Sequence, residues 1–419
     1  MAGRGDRSPV SDLSDHAGAR DPLARFRRKI AENARAWLGF ARDHRPESPA
    51  LAREFVNLDK AANQALREPV AWTDGLRLVV ALWPFIEWHG YWLAWRGVLN
   101  RALTVCRRLD DLAVEVQITD QLGELARGVG ENRAALAWQE QALALARRLG
   151  DQAMIGGVLI HLSQQYLPQG HYQAAKACCE EAIALLEPLG AEPEVAIAHN
   201  NWGIACLEEG LMEPALAHLA LAETLFEAQG NRRGQAKTLH NQAEAYLRQR
   251  CWAEAGPLYE QSIAIALAAG DEVGAVRSRT ALAILLHQQG QHETALGLHR
   301  EIELVYRRLG DRPMLARVIN NQGTFLLAMG KRDEAAQAFE EAAHLHLDIG
   351  DLGDAATSLL NWVEILLHQG ETEQALTRLR QVKGLLDALS SPSATVRERY
   401  AALLGQATAE QATAEHAPG

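Results

Sequence analysis

Histidines and cysteines carry most of the reactive side chains in this sequence, and their spacing forms no recognisable catalytic or metal-binding set. His287, His292 and His299 are close in sequence. On a helical reading they fall on a helix end, a turn and the following helix. His344 and His346 are two residues apart and so leave a helix in different directions. The five cysteines, Cys106, Cys178, Cys179, Cys206 and Cys251, include no CxxC pair, and their odd number fits reduced thiols in a cytoplasmic protein. Cys178 and Cys179 adjoin and would face different sides of a helix, so core packing is the expected role. HExxH, GxSxG and GxxxxGK[ST] are all absent, which removes the metalloprotease, hydrolase-elbow and phosphate-loop signatures. No catalytic residue, metal ligand or cofactor is expected, and the protein is not expected to be an enzyme.

The elements that would position any other chemistry are set by a repeat. Gly130, Gly170, Gly210, Gly290, Gly330 and Gly370 share one column at a spacing of 40 residues, and Gly90 extends it backwards. Half a period later come Gly150, Gly190, Gly230, Gly270, Gly310 and Gly350. Ala135, Ala175, Ala215, Ala255, Ala295, Ala335 and Ala375 form a third column without exception. Between the glycines lie about 19 residues with apolar positions at helical spacing, such as Leu239, Ala243, Tyr246 and Leu247, then Ala255, Leu258, Tyr259, Ile263 and Leu267. Glycine ends a helix in the left-handed conformation without steric cost. Asp151, Asp271, Asp311, Asp351 and Asn231 follow their glycines and can cap the next helix. The alanine column marks a close approach of two helices. Each row is thus an antiparallel helix pair that buries a core only by stacking on its neighbours. Arg250 is the one exception in the first glycine column.

These columns resemble the tetratricopeptide repeat. A small residue opens the first helix (Ala196, Ala236, Ala316, Ala356), and a glycine or alanine follows seven later (Gly123, Gly203, Ala243, Ala283, Gly323). Three further on is a large site (Tyr166, Tyr246, Leu286, Leu326, Leu366), and a second small site completes the pattern (Ala142, Ala182, Ala222, Ser262, Ala342). The usual repeat has 34 residues, and the six extra here lengthen the helices. That longer form is similar to the arrays of kinesin light chains and of bacterial multidomain signalling ATPases. The resemblance implies an all-α, right-handed superhelical solenoid of antiparallel helix pairs. It covers residues 71–390, about eight rows.

The resemblance also implies which side chains line the concave groove. Carried onto this sequence, one groove position reads Gln121, His161, Asn201, Asn241, Ala281, Asn321 and Asn361. An amide both donates and accepts, so it can pair with a peptide backbone whatever the peptide's side chains. The alternative is that these asparagines bond neighbouring helices within the scaffold. Another groove position reads Gln117, Gly157, Ile197, Lys237, Arg277, Arg317 and Thr357, with His240, Arg248 and Arg279 close by. Cations repeated at one register suit anionic groups on a partner. The alternative is that they pair with glutamates of adjacent helices. The first full row instead offers Asp120 and Glu124, an acidic end that would orient a bound segment.

The chain has 419 residues and a net charge of -11. That charge argues against general nucleic-acid binding. No run is long enough for a membrane span. Residues 1–21 are polar and expected to be disordered, which makes Arg4-Gly5-Asp6 meaningless as an adhesion signal. Residues 22–70 read as two helices, the second starting at Ser48-Pro49. The repeat array follows over 71–390, and a capping helix after Ser391-Pro392 and a frayed tail occupy 391–419. The row from Ala71 to Asp110 holds five of the ten tryptophans. They are either an aromatic recognition surface or the bulky core of a divergent terminal row. The expected function is a cytoplasmic scaffold or sensor that holds an acidic peptide or protein, with Asn201, Asn241, Asn321, Asn361, Lys237, Arg277, Arg317 and His240 as binding residues. The competing class is a repeat-bearing regulatory enzyme, such as a phosphatase-like regulator, without a recognisable catalytic motif.

Overall fold

A computed structural model describes residues 21–389 and 393–415, and the backbone alone of 413–415. Most of the expected disordered lead-in, the Arg4-Gly5-Asp6 tripeptide, the Ser391-Pro392 junction and the last four residues lie outside these. Every regular element among the described residues is a helix. The chain divides into two compact units, Met1–Leu225 and Phe226–Gly419.

In the first unit, α1 (Pro22–Arg42) and α2 (Pro49–Ala65) precede the pairs α3 (Trp72–His89) and α4 (Trp92–Leu109), α5 (Leu112–Gly128) and α6 (Asn132–Leu149), α7 (Gln152–Tyr166) and α8 (Tyr172–Leu186), and α9 (Glu192–Glu208) and α10 (Met212–Ala228). The division between the units falls near the end of α10. Ser48 caps α2 by accepting from the Ala50 N–H at 3.3 Å, ahead of Pro49 in the first turn. Five tryptophans fill this end. Trp95 is fully buried, and Trp72, Trp83 and Trp92 pack half-buried on the same core as Leu82, Phe85 and Leu99. None of the five is exposed, so most of the cluster's bulk belongs to the core.

The second unit contains α11 (Arg232–Arg248) with α12 (Trp252–Ala268), α13 (Glu272–Gln288) with α14 (His292–Leu309), α15 (Arg312–Ala328) with α16 (Arg332–Asp348), and α17 (Leu352–His368) with α18 (Thr372–Ala388), closed by α19 (Ala394–Glu415). One apolar cluster runs from Ala283 on α13 to Ala407 on α19, as expected where rows are stable only when stacked.

The local rules read from the sequence hold in both units. All the turn glycines of the first column have positive φ, from 68° at Gly90 to 80° at Gly130 and Gly290. The capping residues Asp151, Asn231, Asp271, Asp311 and Asp351 each accept from the backbone N–H three residues on, at 2.9–3.1 Å. All seven column alanines are fully buried. At Gly323 an added Cβ would lie 2.7 Å from the Phe339 ring, so the small site is where the first helix of a row meets the second.

Candidate functional site

The first helices of the second unit place the expected cations at one register. Lys237 on α11, Arg277 on α13 and Arg317 on α15 are all exposed. Arg277 and Arg317 form no salt bridge among the described residues; Arg317 Nη1 only approaches Met314 Sδ, at 3.8 Å. Several neighbouring cations pair with carboxylates of the scaffold. Arg233 pairs with Asp271 at 3.2 Å, Arg248 with Glu244 at 3.2 Å, and Arg312 with Asp348 at 2.7 Å.

Beside Arg277, His240 is held by a chain of hydroxyls. Ser262 Oγ donates to the Ala236 carbonyl at 2.7 Å and lies 2.8 Å from Ser278 Oγ, which is 3.1 Å from His240 Nδ1. Since Ser262's single proton goes to a carbonyl, Ser278 must donate to Ser262, and His240 Nδ1–H must donate to Ser278. Nε2 then carries the lone pair. Burial lowers the His240 pKa to about 3, and Arg277 adds to the effect. The ring stands edge-on to Tyr259, whose hydroxyl donates to Glu244 at 3.1 Å. His240 is therefore a neutral acceptor next to a cation.

The asparagines differ among themselves. Asn201, in the first unit, is 1% exposed and donates to Ser163 Oγ at 3.0 Å across rows. Asn361 donates to Asn320 Oδ1 at 3.1 Å, and Ser358 donates to the same oxygen at 3.0 Å. These two amides tie the first helices of successive rows together, which is the scaffold alternative. Asn241 and Asn321 are half-buried on α11 and α15, and the Asn321 side chain has no hydrogen-bond partner among the described residues.

The acidic end expected in the first unit is already neutralised there. His161 Nδ1 lies 2.9 Å and 3.0 Å from the two Asp120 oxygens. Glu124 is 2% exposed; it accepts from Arg127 Nη2 at 2.5 Å, from Gln139 at 3.3 Å and from Gln165 at 3.4 Å. Burial alone would lower the His161 pKa, but the Asp120 and Glu124 carboxylates outweigh it and hold it up to about 10. Burial opposes Glu124 ionisation too, and His161 and Arg127 overcome it, so its pKa lies below the usual range. Buried charges persist only when paired in this way, and the orienting role expected of these acids has no unpaired carboxylate to rest on.

The two adjoining thiols are structural. Cys178 and Cys179 are buried, and desolvation pushes their pKa values up to about 11 and about 12, so neither is a thiolate near neutral pH. One constellation escaped the sequence reading. His346, Asp351 and Asp354 bring ligand-type atoms within 4.8 Å of one another. Only the departure of two positions from their columns could have signalled it.

Antiparallel helix pairs in each unit, with small residues at the crossings and a glycine at all but a few of the turns, define a helical repeat protein. The family profile described as tetratricopeptide repeat matches residues 234–303 and 279–346, and this part of the chain consists of tetratricopeptide repeats. No curated protein gives a significant match. Among solved structures, a signal transduction ATPase with numerous domains and a tetratricopeptide repeat sensor, from Pyrococcus horikoshii, superposes with a TM-score of 0.59 at 11% identity. The match covers 87% of this chain and 64% of that one. A Rap protein complexed with Competence and Sporulation Factor gives 0.55 at 13% identity, covering 89% and 99%. The apo quorum sensor NprR from B. thuringiensis gives 0.53 at 12%, covering 87% and 100%. At these identities the likeness is one of fold. No helix among the described residues is long and apolar enough to cross a membrane.

Proposed function

We propose that this protein is a non-catalytic scaffold or sensor, a regulatory or complex-assembly subunit, that holds an acidic peptide segment on the first helices of its second unit. The supporting observation is the exposure of Lys237, Arg277 and Arg317 at equivalent positions on α11, α13 and α15. Successive stacked helices lie roughly 10 Å apart, so three cations at one register meet carboxylates spaced along an extended chain. His240 Nε2 adds a neutral acceptor, and Asn241 and Asn321 add amides for the peptide backbone. The Rap structure, with a factor bound to a similar fold, fits this reading. Asn201 and Asn361 would serve it indirectly, by setting the spacing of the rows.

The test is a titration of fluorescein-labelled, Asp/Glu-rich decapeptides followed by anisotropy, at two salt concentrations. The expected result is binding that weakens with salt and is lost in a Lys237→Ala, Arg277→Ala, Arg317→Ala triple variant of unchanged helical circular dichroism. Asn241→Ala with Asn321→Ala should weaken binding with less dependence on salt, because those contacts are to neutral backbone. Equal binding by the triple variant and the unmodified protein would sink the reading.

A further inference from the structure

The turn between α16 and α17 departs from the others of its kind at two positions. The position of His346 is a core position, filled in the other rows by Cys106, Ala146, Leu186, Phe226, Ala266, Tyr306 and Leu386. His346 is 2% exposed, and its Nδ1 has no hydrogen-bond partner. A buried polar atom left unpaired is costly, so an imidazole here, in place of an apolar side chain, needs a reason. Nδ1 points toward Asp351 Oδ2, 3.8 Å away, which is too far for a hydrogen bond. Asp351 Oδ1 is committed to capping α17 through the Asp354 N–H at 3.1 Å, and that leaves Oδ2 available. Asp354 is the second departure: the same position carries Val114, Met154, Glu194, Gly234, Gly274 and Met314 in the other rows. Only in this row do an imidazole, a capping aspartate and a further carboxylate meet.

We propose that His346 Nδ1, Asp351 Oδ2 and an Asp354 carboxylate oxygen form a binding site for a divalent transition-metal ion of the zinc class. One imidazole nitrogen with two carboxylate oxygens suits zinc or a neighbouring first-row ion better than calcium or magnesium, which favour oxygen alone. The three ligand atoms lie within 4.8 Å of one another. Ligands at zinc distances stand about 3.4 Å apart across a tetrahedral ion, so closure requires movements of a few tenths of an ångström to about an ångström. Asp351 and Asp354 are exposed and free to make them, and water would complete the coordination. Burial lowers the His346 pKa, against the pull of Asp354 and Asp351 and helped by Arg317; the ring is thus neutral and can offer a lone pair. Two carboxylates against the one Arg317 guanidinium leave a net negative charge to receive the ion.

The experiment uses the full chain, freed of metal by chelation and kept reduced, titrated with zinc chloride in a calorimeter and with cobalt(II) in a spectrophotometer. The expected result is one tight site with nitrogen- and oxygen-type cobalt bands, no thiolate charge-transfer band, and a Tm that rises with zinc concentration. His346→Leu, the residue of the α18 row, and Asp354→Asn should each weaken that site by roughly tenfold or more with unchanged circular dichroism. Asp354→Asn alone decides the matter if His346→Leu folds poorly. The proposal is overturned if the unmodified protein binds no zinc, if the variants bind it with the same stoichiometry and affinity, or if a thiolate band places the ion at a cysteine.

Discussion

Arg250 keeps the left-handed turn of a glycine column although it carries a side chain, with φ at 59°. An L residue pays about 1 kcal/mol or more for that conformation, and glycine avoids it while gaining some freedom in the unfolded chain. Arg250→Gly should therefore raise stability, by up to about 1 kcal/mol, visible as a higher Tm or denaturant midpoint. An unchanged or lower midpoint would mean that the Arg250 side chain makes a contact worth keeping. Asp110 at the end of α4 shares the geometry, with φ at 54°; there an aspartate replaces the glycine of the half-period column, and aspartate tolerates this region better than most residues.

Between elements, polar pairs join the first helices of successive rows, and the pair between α5 and α7 depends on pH. The Asp120 and Glu124 carboxylates raise the folded His161 pKa to about 10, above the ordinary value near 6.5. The resulting stabilisation is complete below about pH 6.5 and is lost steadily as pH rises toward 10. Thermal unfolding between pH 7 and pH 9.5 should show the stability of the unmodified protein falling more steeply than that of His161→Gln. Parallel slopes would show that His161 is neutral in the folded protein. At low pH the sign reverses: the Glu124 pKa is depressed, so its contribution is lost as pH falls below the carboxylate range.

At the scale of the whole molecule, the stability of each unit depends on its rows covering one another. In the second unit α19 closes the stack: Leu403 and Ala407 are buried, and Val396, Tyr400 and Leu404 pack partly buried on the cluster that holds Leu379 and Val382. Truncation after Leu389 should expose that apolar face and cost at least about 3 kcal/mol, read as a lower Tm together with new binding of a hydrophobic dye. A truncated chain of unaltered Tm and dye binding would show that α19 is not a cap.

Much of this fold was legible along the chain because repeats obey local rules. Left-handed turns select glycine, N-caps select aspartate or asparagine, and close crossings select alanine, so a period of 40 residues is enough to place every pair between residues 111 and 389. The register of Lys237, Arg277 and Arg317 on the first helices followed from the same columns. Tertiary structure alone decided which members of a column meet solvent. Asn201 is buried against Ser163 while Asn321 is half-exposed, because burial depends on the side chains that the adjoining row presents and not on a residue's own register. The same holds for the neutralised acids at Asp120 and Glu124. His346 and Asp354 are eight residues apart and sit on different helices, and only the turn between α16 and α17 brings them to one point with Asp351.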